Sequence, residues 1–145
     1  LSRYHQGRFK PKNPSKYKGD PTNIIYRSSW ELRVMNFLDS HPDVVYWTSE
    51  ELVIPYISPI DGKYHRYFTD FTFKKTNGEV AVVEVKPFAQ TKPPTMTESK
   101  SKRSYIKEVQ AYGINSAKWK AAQKFCDSKG WKFMIFTEKD LPGKK

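Results

Sequence analysis

The sequence predicts an α/β fold: a central mixed β-sheet flanked by helices, with an extended basic arm in front of it. Three observations predict it. Residues 44–86 alternate apolar and polar side chains and are cut by the turn signals Asp61-Gly62 and Asn77-Gly78, as in an antiparallel meander. An apolar stripe at helical spacing lies on each side of that block. The second stripe leads into a last strand at 131–137, which a helical crossover would set parallel to its neighbour. At 145 residues the chain has the size of one domain, here 23–145, behind an arm at 1–22.

The arm has no helical or strand period, and its run Lys10-Pro11-Lys12-Asn13-Pro14 resists both. Six of the first twenty residues are Lys or Arg, against one acid, Asp20. The first helix opens at Ser28 or Ser29, either of which caps it, and shows Trp30, Val34, Phe37 and Leu38 along one stripe. His41-Pro42 ends it, because proline disfavours a helical residue before it. Strands follow at 44–47 and 52–57, the second marked as an edge or a bulge by Pro55. Residues 63–75 read as one long strand, turned by Thr76-Asn77-Gly78 into a partner at 79–86. Residues 87–104 are a polar, Pro-rich loop. A helix over 104–112, a break at Gly113, and a second helix from 115 or 116 to Gly130 precede the last strand. That strand points Phe133 and Ile135 to one side and Met134 and Phe136 to the other.

Composition narrows the function. Twenty-six basic and fifteen acidic residues leave a formal charge of +11, which calls for a polyanionic partner. Aromatic residues make up 15%, enough rings to build a core and to argue against disorder. No apolar run is long enough to cross a membrane, and no apolar leader opens the chain, so the expected compartment is a reducing cytoplasm. The single cysteine, Cys126, forms no internal disulfide and reads as a small buried hydrophobe.

The chemistry gathers at one hairpin. With a three-residue loop at Thr76-Asn77-Gly78, Lys75 faces Glu79 and Asp70 faces Glu84. Facing like charges destabilise a ladder unless something compensates, and a divalent cation does so, since Mg²⁺ takes carboxylate oxygens. Val80, Val82, Glu84 and Lys86 share one strand face, so Lys86 brings a mobile positive charge to the same tip. Glu31 sits within the apolar stripe of the first helix, where it serves either as a first-turn acid favoured by the helix dipole or as a further metal ligand. The competing account of Asp70, Glu84 and Lys86 is a cross-strand ion-pair network.

Tyr67-Phe68-Thr69-Asp70 followed by Glu84-Val85-Lys86 resembles the PD-(D/E)xK nuclease signature, and Arg27-Ser28-Ser29-Trp30-Glu31 is similar to the helix that adds an acidic ligand in many of its members. The likeness is to the TnsA-like group and, within it, to phage nucleases of head completion. Tyr4, Gln6-Gly7-Arg8-Phe9, Tyr17-Lys18-Gly19-Asp20-Pro21 and Ser58-Pro59-Ile60-Asp61-Gly62-Lys63 share in it. One departure is Thr69, where the family usually has a proline before the aspartate.

The resemblance implies a restriction-endonuclease-like core with its acids at one edge of the sheet. Asp70, Glu84 and the Val85 carbonyl would hold Mg²⁺, or Mn²⁺ in its place, with Glu31 as a direct or water-mediated ligand. Lys86 would orient the attacking water or stabilise the transition state, and hydrolysis would leave a 5′-phosphate. The substrate would be double-stranded DNA. Expected contacts are Arg8, Lys10, Lys12, Lys16 and Lys18 of the arm, with Arg27 and Lys118. Gln110 also lies on a late helix, where such nucleases place DNA contacts. The expected setting is host cytoplasm during phage assembly, with head or portal-vertex proteins as partners and no membrane. His5, His41 and His65 read as surface histidines, and Trp119 and Phe125 as core. Two other readings stand beside this one. One is a structural head or neck protein that binds DNA and cuts little; the other is a resolvase- or transposase-type nuclease of the same fold.

Overall fold

A computed structural model describes residues 6–141. His5 and Tyr4, with the rest of 1–5 and 142–145, lie outside the described residues. The elements run β1 (Gly7–Phe9), β2 (Ile24–Tyr26), α1 (Ser29–Ser40), β3 (Val44–Ser49), β4 (Val53–Ile57), β5 (Tyr64–Phe68), β6 (Phe71–Lys75), β7 (Val80–Val85), α2 (Lys102–Lys129) and β8 (Lys132–Phe136). The central sheet has the order β3-β6-β7-β8, antiparallel except for the parallel β7–β8 pair. The predicted register holds: Phe71 faces Val83 and Lys74 faces Val80.

Each face of the sheet carries one helix. On one side Phe71, Phe73, Ala81 and Val83 pack with Val34, Met35 and Leu38 of α1, and Met134 and Phe136 join them. On the other, Phe133 meets a second cluster, in which Ala122, Ala117 and Phe125 of α2 cover Ile54, Tyr56 and Tyr67. The outward alternation of β8 is the predicted one, and Cys126 is buried in α2 as expected.

Three expectations are corrected. The block 44–86 is not one meander, because β4 and β5 form a separate two-stranded sheet and β3 pairs with β6 across them. Pro55 is tolerated for that reason, since β4 has only one partner. Residues 63–75 are two strands rather than one. The chain changes sheets at Thr69, whose amide and hydroxyl both donate to the Leu52 carbonyl, and Asp70, whose carbonyl accepts from Glu50. Proline at position 69 would lack that amide donor.

The third correction is that Gly113 does not break the chain into two helices: α2 is continuous over 28 residues. A glycine inside a helix costs only about 1 kcal/mol relative to alanine, and packing of the flanking turns outweighs it. Ile114 and Ala117 lie just beyond it against the β4–β5 hairpin. Gly130 does end the helix, at φ 72°.

The expectation of an arm without strands is corrected too: Gly7–Phe9 form β1, the rest of 6–22 holds a 3-10 turn at Pro14–Lys16, and the segment is anchored to the body. β1 pairs with β2, and Phe9 and Tyr17 are buried against Trp47. The amides of Lys12 and Asn13 donate to the buried Asp39 carboxylate, and the Tyr17 hydroxyl donates to the Ser49 carbonyl. Aromatic burial, which the basic composition masks, is what ties this segment down.

Candidate active site

Asp70 and Glu84 meet at the tip of β7, on the α2 side of the sheet. Glu84 is 6% exposed. Its Oε1 accepts from the Tyr67 hydroxyl at 2.6 Å, and its Oε2 lies 3.9 Å from the Lys86 ammonium. Asp70 Oδ2 accepts from the Val85 amide at 2.7 Å, so the backbone of β7 itself pins the carboxylate. The Asp70 backbone is held as well, by the Glu50 amide.

Burial and mutual repulsion set the charge states. Desolvation pushes Asp70 well above the ordinary carboxylate range; the neighbouring Glu84 charge adds to this, and Val85 and Lys86 only partly oppose it. Glu84 is also pushed up by burial, opposed by the Tyr67 hydroxyl, Lys86 and Lys118. The buried Trp119 N–H completes no hydrogen bond among the described residues, yet lies near enough to favour the Glu84 anion. Tyr67 in turn is driven strongly toward its neutral, donating form by burial and by Glu84.

Glu31 lies at the start of α1. Ser28 caps the helix by accepting from the Glu31 amide at 3.1 Å. The Glu31 carboxylate reaches back to the Arg27 amide at 3.0 Å, one residue earlier than in a standard capping box. Burial raises its pKa, and the Glu50 and Glu84 charges add to the rise. Glu31 is thus both a first-turn acid and a member of the site's electrostatic set. Among the described residues no three His, Cys, Asp or Glu side chains come close enough together to hold a metal ion, so Glu31 stands apart from the Asp70–Glu84 pair.

The expected DNA-contact residues divide. Arg27 and Lys118 flank the site. The Arg27 guanidinium forms a fork with Glu50, 2.8 and 3.0 Å, and Lys118 stands 5.5 Å over the Tyr67 ring. Arg8, Lys10 and Lys18 are exposed, Lys18 over the Tyr46 ring. Lys12 and Lys16 belong to the other end of α1: the Lys12 amide is bound by Asp39, and the Lys16 ammonium donates to the His41 carbonyl. At about 1.5 Å per residue, Asp39 lies roughly 12 Å along the helix from Glu31, so these two lysines stand apart from the acids. His65 is a surface residue bound to Asp61, and Gln110 is exposed on α2.

Two site residues are not evident from the sequence pattern. Strand alternation puts Tyr67 and Asp70 on opposite faces; the sheet change between them brings both toward Glu84. Glu50, at φ 57°, follows β3 in a conformation rare for a non-glycine residue, and only its position between two strands hints at a special turn.

The donor set suits a hard divalent cation. A buried and a half-buried carboxylate share one tip, and among the described residues the one ammonium paired with either of them stands at 3.9 Å. Residues 41–138 match the TnsA-like endonuclease N-terminal family. Over 140 residues, covering 94% of this chain and 93% of the relative, the sequence is 40% identical to the head completion nuclease of Enterobacteria phage T4. The chain belongs to the TnsA-like endonuclease family.

Proposed function

We propose that the chain is a divalent-metal-dependent endonuclease that hydrolyses a phosphodiester bond of double-stranded DNA, acting at the completion of phage heads. The observation that carries this reading is the Asp70–Glu84 pair at the end of β7, Glu84 buried and Asp70 half-buried, with Lys86 beside it. Mg²⁺, when bound, would polarise the scissile phosphate and lower the pKa of a bound water.

The protein's own residues do the positioning. The Val85 amide holds one Asp70 oxygen and the Tyr67 hydroxyl holds one Glu84 oxygen, so the other oxygen of each would be the one offered to a cation. The Val85 carbonyl and Glu31 are the remaining candidate ligands. Lys86, half-buried with its amide fixed to the Phe136 carbonyl, would orient the attacking water or donate to a phosphate oxygen as charge develops. In-line displacement would leave a 5′-phosphate. Arg27, Lys118, Arg8, Lys10 and Lys18 supply the positive surface for the DNA backbone. Head or portal-vertex proteins in the host cytoplasm are the proposed setting, and residues 23–145 the proposed nuclease unit.

Plasmid DNA incubated with Mg²⁺ or with EDTA tests the reading. Metal-dependent nicking by the unaltered protein, lost in Asp70→Ala and Lys86→Ala, is the expected result. DNA retention with no cleavage under any divalent ion would overturn it in favour of a structural DNA-binding protein.

A further inference from the structure

The first half of α2 has no part in the site as described, and it is almost bare. Every residue from 102 to 111 except Tyr105 is exposed. One flank of this segment faces residues 89–94 across a cleft lined by Glu108, Ala111, Tyr112 and Asn115, and Lys100 pairs with Glu108 at 2.9 Å. The other flank is an open groove lined by Lys102, Arg103, Ile106, Lys107 and Gln110. Its three cations take part in no ion pair among the described residues, unlike Lys100.

This flank points back to the active site. At 3.6 residues per turn, Arg103, Lys107, Ile114 and Lys118 fall within one narrow stripe of the helix. Lys118 favours the Glu84 anion and stands over Tyr67, so the stripe starts at the catalytic tip. From there it runs outward. α2 returns through Gly130 into β8, which lies parallel to β7 and ends beside Val85, so the turns before Lys118 extend past the end of β7. Helical rise places Lys107 about 16 Å and Arg103 about 22 Å from Lys118.

We propose that this stripe grips the backbone of duplex DNA on one side of the scissile phosphate, and that efficient cutting therefore needs several base pairs on that side. The proposal rests on the nuclease reading of Asp70, Glu84 and Lys86. A polyanion seated at the tip of β7 has to continue somewhere, and an acid-free row of cations leading away from the tip matches its charge. At about 3.4 Å per base pair, the row spans roughly five to seven base pairs. Phosphates nearer than this to a blunt end lose one or both distal contacts, so cutting favours internal positions over stepwise removal of terminal nucleotides.

The test uses the full chain with Arg103→Ala/Lys107→Ala, both exposed positions, and Lys120→Ala/Lys124→Ala as a control of equal charge loss elsewhere on α2. DNA binding is measured in EDTA by fluorescence anisotropy between about 50 and 200 mM salt. Each lost phosphate contact lowers the slope of log K against log salt by about 0.9, so the first variant loses about 1.8 and the control loses nothing. On end-labelled duplexes with Mg²⁺, the unaltered protein spares phosphates within roughly five base pairs of one end, and the first variant loses that bias. If the unaltered protein binds and cuts DNA while the first variant keeps both slope and end bias, the stripe proposal falls and the nuclease reading stands. If the unaltered protein neither binds nor cuts DNA, both fall.

Discussion

Tyr67→Phe separates a metal-holding role for Glu84 from a merely structural one. The substitution removes one oxygen and keeps the ring that packs with Ile54, Tyr56 and Ala122 beneath Lys118. What is lost is the 2.6 Å hydrogen bond to Glu84 Oε1. A hydrogen bond to a charged group contributes about 1.5–3 kcal/mol. At about 1.4 kcal/mol per decade, this is roughly a 10- to 150-fold loss in the affinity of a ligand that needs the Glu84 anion. Without the donor the anion is disfavoured further, so the pH at which the ion binds moves upward. The fold is much less affected, because a carboxyl already raised by burial gains a proton instead of staying charged and unpaired. Isothermal titration with Mn²⁺ and a thermal melt in EDTA read the two effects separately. Affinity within twofold of the unaltered protein, with the melt unchanged, would refute the idea that Tyr67 presents Glu84 to a cation.

Further outcomes follow from the same geometry. Asp70 and Glu84 are both raised above their unfolded values of about 3.8 and 4.5, so the stability they contribute to the metal-free protein is present below about pH 4 and lost as pH rises through the raised values. Asp70→Asn therefore abolishes Mn²⁺-dependent cleavage yet melts higher than the unaltered protein in EDTA at neutral pH, and a lower melting temperature would contradict the repulsion between the two acids. Lys86→Met lowers cleavage at least about 100-fold, in the range seen for lost transition-state donors. The same variant weakens DNA binding less than about tenfold, the size of one phosphate contact, so a parallel collapse of both would argue for a binding role alone. Gly113→Ala raises stability by about 0.5–1 kcal/mol in urea unfolding, because the added methyl meets only Pro59 at 3.7 Å inside a continuous helix. A loss of stability there would speak for a break.

Local signals predicted local structure well. Ser28, His41-Pro42, Gly130 and the Asn77-Gly78 turn each act through their own backbone chemistry, and all of them mark real boundaries. The register of β6 on β7 was legible for the same reason, since one turn fixes one register; its ladder ends at Phe71 and Val83, and Asp70 reaches the tip of β7 through the Val85 amide. Long-range choices were not. Residues 63–75 alternate without a gap, so nothing in the pattern marks the point where the chain leaves β5's sheet for β6's. That point is set by donations from Thr69 to Leu52 and from Glu50 to Asp70, between residues far apart in sequence. Tyr67 was missed as a site residue for this reason alone. The anchoring of residues 6–22 depends on Asp39, Trp47 and Ser49, again distant in sequence, while the local composition suggests only a basic tail.

The site can be weighed against its competing account, a cross-strand ion-pair network. Such a network would bring a cation into full contact with each acid. Here Arg27, whose guanidinium carries charge toward Asp70 and Glu31, is engaged by Glu50, a residue held at φ 57° that is more exposed than Glu84. Lys86 stands 3.9 Å from Glu84, at the outer limit of an ion pair. The groups that do touch the acids are neutral donors: the Val85 amide on Asp70, the Tyr67 hydroxyl on Glu84 and the Arg27 amide on Glu31. Neutral donors orient a carboxylate without cancelling its charge, so the negative field at the tip of β7 persists whenever the acids ionise. Burial makes that field costly for the folded protein and correspondingly strong for an incoming cation. An arrangement that raises the cost of its own charges, with arginine held to one side, is poor as a structural clamp and fits the divalent ion proposed above.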